Sequence, residues 1–147
     1  MTRFLLDVML GKLATYLRMC GHDAAYALDR GVEADDAVLA WAADEDRTLV
    51  TRDRRLADRA DGALLVESVT VEDQLRELAA AGVALELDEP RRCANCNAAL
   101  RRVPDGAATP DHAPGTDERP VWRCPDCGQY FWRGSHWDDV GETLAGL

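Results

Sequence analysis

The chain of 147 residues contains one lysine, two phenylalanines and no isoleucine. No apolar run exceeds the seven residues Ala37 to Ala43, whereas a membrane span needs about 20. The opening Met-Thr-Arg-Phe-Leu-Leu-Asp puts an acid inside what a signal peptide would need as its apolar stretch. Membrane and secreted classes are therefore not expected, and the expected location is cytoplasmic. Basic charge is also short, with 17 Lys and Arg against 27 Asp and Glu, a net of −10. That balance ordinarily argues against a nucleic-acid partner. Eighteen of the acids are aspartate. So dense a carboxylate surface with almost no lysine suits a halophilic source, where self-repulsion is screened over about 3 Å at 1 M salt. A GC-rich genome, which favours Ala, Arg and Gly, is the alternative.

What is present is globular: 47% hydrophobic and 30% charged residues, in a length typical of one domain or one domain with a small appendage. Charge divides the chain. Residues 1–89 carry a net of −9 and residues 90–147 a net of −1, with four of the five cysteines and most aromatics in the second part. The joint is expected near Leu87–Arg92. The first part reads as strands alternating with helices. Strands are expected at Arg3–Val8, Asp23–Leu28, Thr48–Thr51 and Ala63–Val66. Helices are expected at Leu10–Cys20, from a cap at Asp35 or Asp36 through Asp46, at Arg54–Ala60, and at Val71–Ala81 capped by Thr70. This order implies a parallel sheet with helices on both faces.

Ligands of such sheets bind at the carboxyl ends of the strands. Asp7 ends the first strand, Asp53 follows the third, and Asp35 and Asp36 open the helix between. Converging carboxylates repel one another unless a divalent cation sits among them. Oxygen ligands without His or Cys suit Mg²⁺ or Mn²⁺, which could activate water for phosphodiester hydrolysis. A capping Asp35 and a turn-forming Asp53 would need no metal.

Cys93-Ala-Asn-Cys96 and Cys124-Pro-Asp-Cys127, separated by 27 residues, give four thiolates for a tetrahedral structural Zn²⁺. Strand-like sequence follows each pair, at Ala98–Val103 and Gln129–Trp132, as in a zinc ribbon. Cys20 reads as a small buried apolar residue. His22 reads as a cation at a helix end. His112 falls in a Pro- and Gly-rich loop, and Ser135 is the expected cap of a terminal helix that begins with His136.

Leu6-Asp-Val-Met-Leu-Gly-Lys-Leu-Ala-Thr-Tyr-Leu-Arg18, followed by Met19-Cys-Gly-His-Asp23, resembles the opening of the PIN-like ribonuclease domain named from the C-terminal region of the Mut-seven exonucleases. Asp35-Asp-Ala-Val-Leu, then Arg47-Thr-Leu-Val-Thr-Arg-Asp53, resembles its second and third signatures. The cysteine module ending in Tyr130-Phe-Trp-Arg-Gly-Ser-His136 resembles its zinc-bearing tail. The resemblance spans nearly the whole chain and implies a PIN-like fold, a metal-dependent ribonuclease and RNA as partner. Asp7 and Asp53 match the first and third acids. Asp35 matches the second, with Asp36 one residue away. A fourth acid has no match, and Asp58 and Asp61 are candidates only by nearness.

Lys12 and Arg18 on the first helix, with Arg52 and Arg54 beside Asp53, are candidate phosphate contacts. Arg55 and Arg59 complete this basic cluster. Single-stranded RNA is held by aromatic stacking and a basic track, and the ribbon supplies Trp122, Tyr130, Trp132 and Trp137 among its arginines. The functional expectation is a ribonuclease domain (1–89) with a ribbon as substrate arm (90–147). Two other classes stay open: a non-catalytic RNA- or ribosome-binding adaptor, and a receiver-type phosphoacceptor, which would want a lysine late in the domain.

Overall fold

The computed structural model describes residues 2–147. Strands β1 (Arg3–Leu6), β2 (Asp23–Tyr26), β3 (Thr48–Thr51) and β4 (Leu64–Leu65) form a parallel sheet in the order β2-β1-β3-β4. Helices α1 (Gly11–Met19), α2 (Asp35–Asp44), α3 (Arg54–Arg59) and α4 (Val71–Ala80) alternate with them. The mixed α/β architecture is as expected, with β3 at its expected bounds and β1, β2 and β4 shorter. β1 stops at Leu6 because the Asp7 carboxylate turns back to accept from Val8 N–H at 2.9 Å, while Leu10 N–H closes a turn on the Asp7 carbonyl. β2 gives way at Ala27 to a 3₁₀ turn that ends at Gly31 in the left-handed region.

Successive side chains of a strand point to opposite faces, and here both faces are covered. Phe4, Leu6 and Val50 pack with Leu10, Leu13 and Leu17 of the α1 segment and Leu75 and Leu78 of α4. Leu5 and Leu49 pack with Val38 and Trp41 of α2 and Leu56 of α3. Gly11 opens α1 because a Cβ there would lie 3.3 Å from the Tyr26 ring.

The second part holds a three-stranded antiparallel sheet, β5 (Arg101–Arg102), β6 (Val121–Arg123) and β7 (Tyr130–Trp132), followed by α5 (Ser135–Ala145). Its central strand β6 precedes the second cysteine pair and was not among the expected strands. Ser135 is the first helical residue, not the cap; Gly134 holds that position, and no side chain caps the helix. A Cβ at Gly134 would lie 2.7 Å from the Trp132 indole nitrogen, so glycine suits this close approach.

The two parts interlock. Arg18 is 3% exposed. Its Nε donates to the Ala24 carbonyl at 2.8 Å, and its Nη1 to the carbonyls of Ala94 and Asn95 inside the first cysteine pair. Asn97 accepts from Ala24 N–H at 2.9 Å and donates to Asp23 at 2.7 Å. Leu144 and Leu147 return to the core of the first part.

Candidate functional site

Each acid comes from an element that ends or begins at the carboxyl edge of the parallel sheet. Asp7 follows β1 and Asp53 follows β3, its hydrogen-bonded neighbour. One hydroxyl links them. Thr51 is fully buried, donates from Oγ1 to Asp7 Oδ2 at 2.7 Å, and accepts from Asp53 N–H at 3.0 Å. In the sequence Thr51 reads only as a strand end, and its place in Thr-x-Asp is the signal for this further role. Asp53 caps α3 through Oδ1, which accepts from Arg55 and Leu56 N–H. Its Oδ2 has no donor among the described residues.

Asp35 and Asp36 lie in the first turn of α2, where negative charge opposes the helix dipole favourably. Neither is the cap, as one of them was expected to be; Ala34 takes that position. Their carboxylates are thereby left for other partners. Asp36 pairs with Arg59 and points outward, with its side chain 87% exposed. Asp35 is exposed and accepts no hydrogen bond among the described residues. Asp58 falls at the far end of α3 and Asp61 beyond it. Among the described residues no three acids bring ligand oxygens within 4.8 Å of one another.

The candidate cations divide. Lys12 is exposed on the first turn of α1, beside Asp7 along the chain, and makes no ion pair among the described residues. Arg52 is likewise exposed, whereas Arg54 pairs with Glu67 at 2.6 Å. Arg18, expected to hold substrate, spends four of its five N–H donors on the joint and on Asp29 at 3.3 Å, and its burial keeps it from a phosphate. Those partners lie up to 77 residues away, beyond the reach of local pattern.

The four cysteines form one compact group. Cys93 and Cys127 Sγ lie 3.6 Å apart and Cys96 and Cys124 Sγ 3.3 Å apart, with all four atoms within 4.8 Å of one another. Tetrahedral Zn–S bonds of about 2.3 Å separate sulfurs by about 3.8 Å, so the donor set fits zinc. Burial opposes ionisation of Cys124, yet the Cys127 N–H and the Cys96 thiol outweigh it and bring its pKa down to about 7. Cys20 stands apart, half-buried, and burial pushes its thiol up to about 12. His22 sits 2.6 Å from the Ala84 carbonyl and edge-on to Phe4, so its role is packing.

Of the ribbon aromatics, Trp122 is buried, with Arg102 and Arg133 over its ring. Tyr130, Trp132 and Trp137 are half-buried. His112 lies in its loop as expected, but its ring comes within 6.4 Å of Tyr130 and 6.5 Å of Trp132.

No helix among the described residues is long and apolar enough to cross a membrane. No curated protein and no solved structure matches the sequence. The family described as the Mut7-C RNAse domain matches residues 2–144. A match over nearly the entire length, on a parallel sheet with its four-cysteine group in place, shows that the chain belongs to the Mut7-C RNAse domain family.

Proposed function

We propose that this ribonuclease-type domain hydrolyses single-stranded RNA at the carboxyl edge of its sheet, with Mg²⁺ or Mn²⁺ held by Asp7, Asp35 and Asp53. The observation that carries this reading is the Thr51 hydroxyl, which joins Asp7 to the Asp53 backbone across adjacent strands. A buried threonine bonded this way fixes two acids at the edge where such sheets bind ligands. The donor set is all oxygen, which suits Mg²⁺ or Mn²⁺. When bound, a divalent ion lowers the pKa of water and offsets charge on the phosphate. Asp53 offers Oδ2 while Oδ1 holds α3. Asp35, in the first turn of α2, would complete the set by moving its exposed carboxylate towards the other two, with Asp36 already paired to Arg59. Lys12 and Arg52 hold phosphate oxygens beside the acids, and Arg54 does so only by giving up Glu67. Zinc in the four cysteines is structural, and a cytoplasmic, salt-rich setting belongs to the same reading.

A second reading is favoured by one observation: Asp53 already serves as the cap of α3. A non-catalytic RNA- or ribosome-binding adaptor would look the same. The experiment is cleavage of end-labelled RNA at high salt by the zinc-loaded protein, with and without Mn²⁺. Asp7→Asn and Asp35→Asn should each lower the Mn²⁺-dependent rate by about 100-fold or more, and Asp36→Asn should not. RNA bound but never cut would replace the nuclease by the adaptor.

A further inference from the structure

A cleft of about 360 Å³ opens between the second half of α1, the first cysteine pair and the start of α5. That volume lies within the range of small-molecule sites, about 300–1,000 Å³. Tyr130, Trp132 and Trp137 line it. Its polar wall includes Arg92 and the side-chain amides of Asn95 and Gln129, which bond to each other. The chain has 27 Asp and Glu, yet among the described residues none of them lines this cleft. On a molecule of net charge −10, such a gap in the carboxylate surface is what an anionic polymer needs. Arg123 lies over the Tyr130 ring at 5.3 Å and has no carboxylate partner among the described residues.

The lining describes its ligand. Aromatic faces accept a flat π-system, and a paired Asn and Gln retain N–H donors and C=O acceptors for a heteroaromatic edge. Helix α1 then relates the cleft to the acids. Thr15 and Met19 line the cleft, and Lys12, at three and seven residues before them, shares their helical face. The separation along the axis is roughly 5–11 Å.

We propose that this cleft is a nucleobase subsite. It takes one unpaired base of an RNA strand whose adjoining phosphates run along α1 towards Lys12, with Arg123 beside the base. The choice of RNA as the polymer rests on the ribonuclease reading.

The test is fluorescence anisotropy of a labelled, unstructured octaribonucleotide on the full zinc-loaded chain, without added Mg²⁺ or Mn²⁺. Trp137→Ala should weaken affinity about tenfold, the scale of one lost base stack, and Trp137→Phe should restore most of it. Ser135→Trp, at an exposed position on the rim, fills the cleft without removing a core group and should cause the same loss. An abasic version of the octamer should bind the unaltered protein as weakly as the normal octamer binds Ser135→Trp. Undiminished affinity in Ser135→Trp, or equal affinity for normal and abasic strands, overturns the subsite. Loss of affinity in Ser135→Trp without any Mn²⁺-dependent cleavage by the unaltered protein keeps the subsite and removes the ribonuclease reading.

Discussion

Asp23 opens β2 with four partners around one carboxylate: Asn97 Nδ2 at 2.7 Å, Arg47 Nη1 at 2.8 Å, Arg3 Nε at 3.3 Å and Arg92 Nη2 at 3.8 Å. Burial alone would raise its pKa. Hydrogen bonds from Arg47 and Asn97, with the charges of Arg47 and Arg92, outweigh that and lower it from 3.8 to about 2. The ionised form therefore favours the folded chain. Its contribution is complete above the ordinary carboxylate pKa and is lost as pH falls through the folded value. Asp23→Asn should cost about 2 kcal/mol at neutral pH, the worth of hydrogen bonds to a charged group. Urea unfolding of both proteins should show this difference shrinking between pH 3.8 and 2. A gap that stays constant across that interval would mean that the carboxylate charge is not what Arg47 and Arg92 read.

At this scale the sequence was legible where chemistry is local. Asp7 and Asp53 follow strands, and a strand of β-branched and apolar residues ending in an acid can be read directly. Thr51, Asn97 and Arg18 were not legible in their actual roles. Each acts through a partner that only the folded sheet brings near, and a lone Arg on an amphipathic helix looks like a solvated cation until the ribbon covers it.

At the scale of elements, the two cysteine pairs repeat one backbone design. Asn97 follows Cys96 and Gly128 follows Cys127, both in the left-handed region at φ of 69° and 78°. Their N–H groups return to the carbonyls of Cys93 and Cys124. Glycine takes this conformation without strain, and asparagine tolerates it among L-residues. The first pair has asparagine because the side chain is needed: it closes the edge of β2 at Ala24 and reaches Asp23. The spacing of the cysteines made the four-cysteine group legible, but it carried no sign that the group is fastened to the sheet. Zinc removal read from sequence should unfold the ribbon and spare the α/β part. With the joint in view it should also release Ala24 and leave the buried Arg18 without two of its acceptors. Asn97→Gly should retain one zinc per chain by elemental analysis while amide exchange at Ala24 accelerates about tenfold or more, the worth of one lost hydrogen bond or above. Cys96→Ser should lose both the zinc and the protection. Ala24 protected as before in Asn97→Gly would show that the edge is closed by something other than this side chain.

At the scale of the whole molecule, the boundary near Leu87–Arg92 marks a change of composition more than a separation of bodies. Leu144 and Leu147 pack on the core of the first part, and Arg18 reaches into the first cysteine pair. Helical periodicity shows that α5 has an apolar face; it cannot show which core receives it. Deleting residues 90–147 would strand a buried guanidinium, so point variants are the cleaner way to ask how an acidic protein holds RNA. Long-range attraction cannot do it at net −10, and in molar salt charges are screened beyond about 3 Å. Lys12, Arg52 and Arg123, the exposed cations of the proposed strand path, set its phosphate contacts at about three; Arg55, Arg101, Arg119 and Arg133 are likewise exposed and without carboxylate partners among the described residues. Single strands release about 0.7 counterion per contact, so affinity should fall with salt at a log–log slope of about −2. Arg123→Gln should make that slope shallower by about 0.7, the share of one phosphate. Trp137→Ala should shift the whole line to weaker binding with its slope unchanged, because stacking releases no counterion. A slope several times steeper would require a basic track that these three residues do not provide, and parallel lines for Arg123→Gln and the unaltered protein would remove Arg123 from the phosphate path.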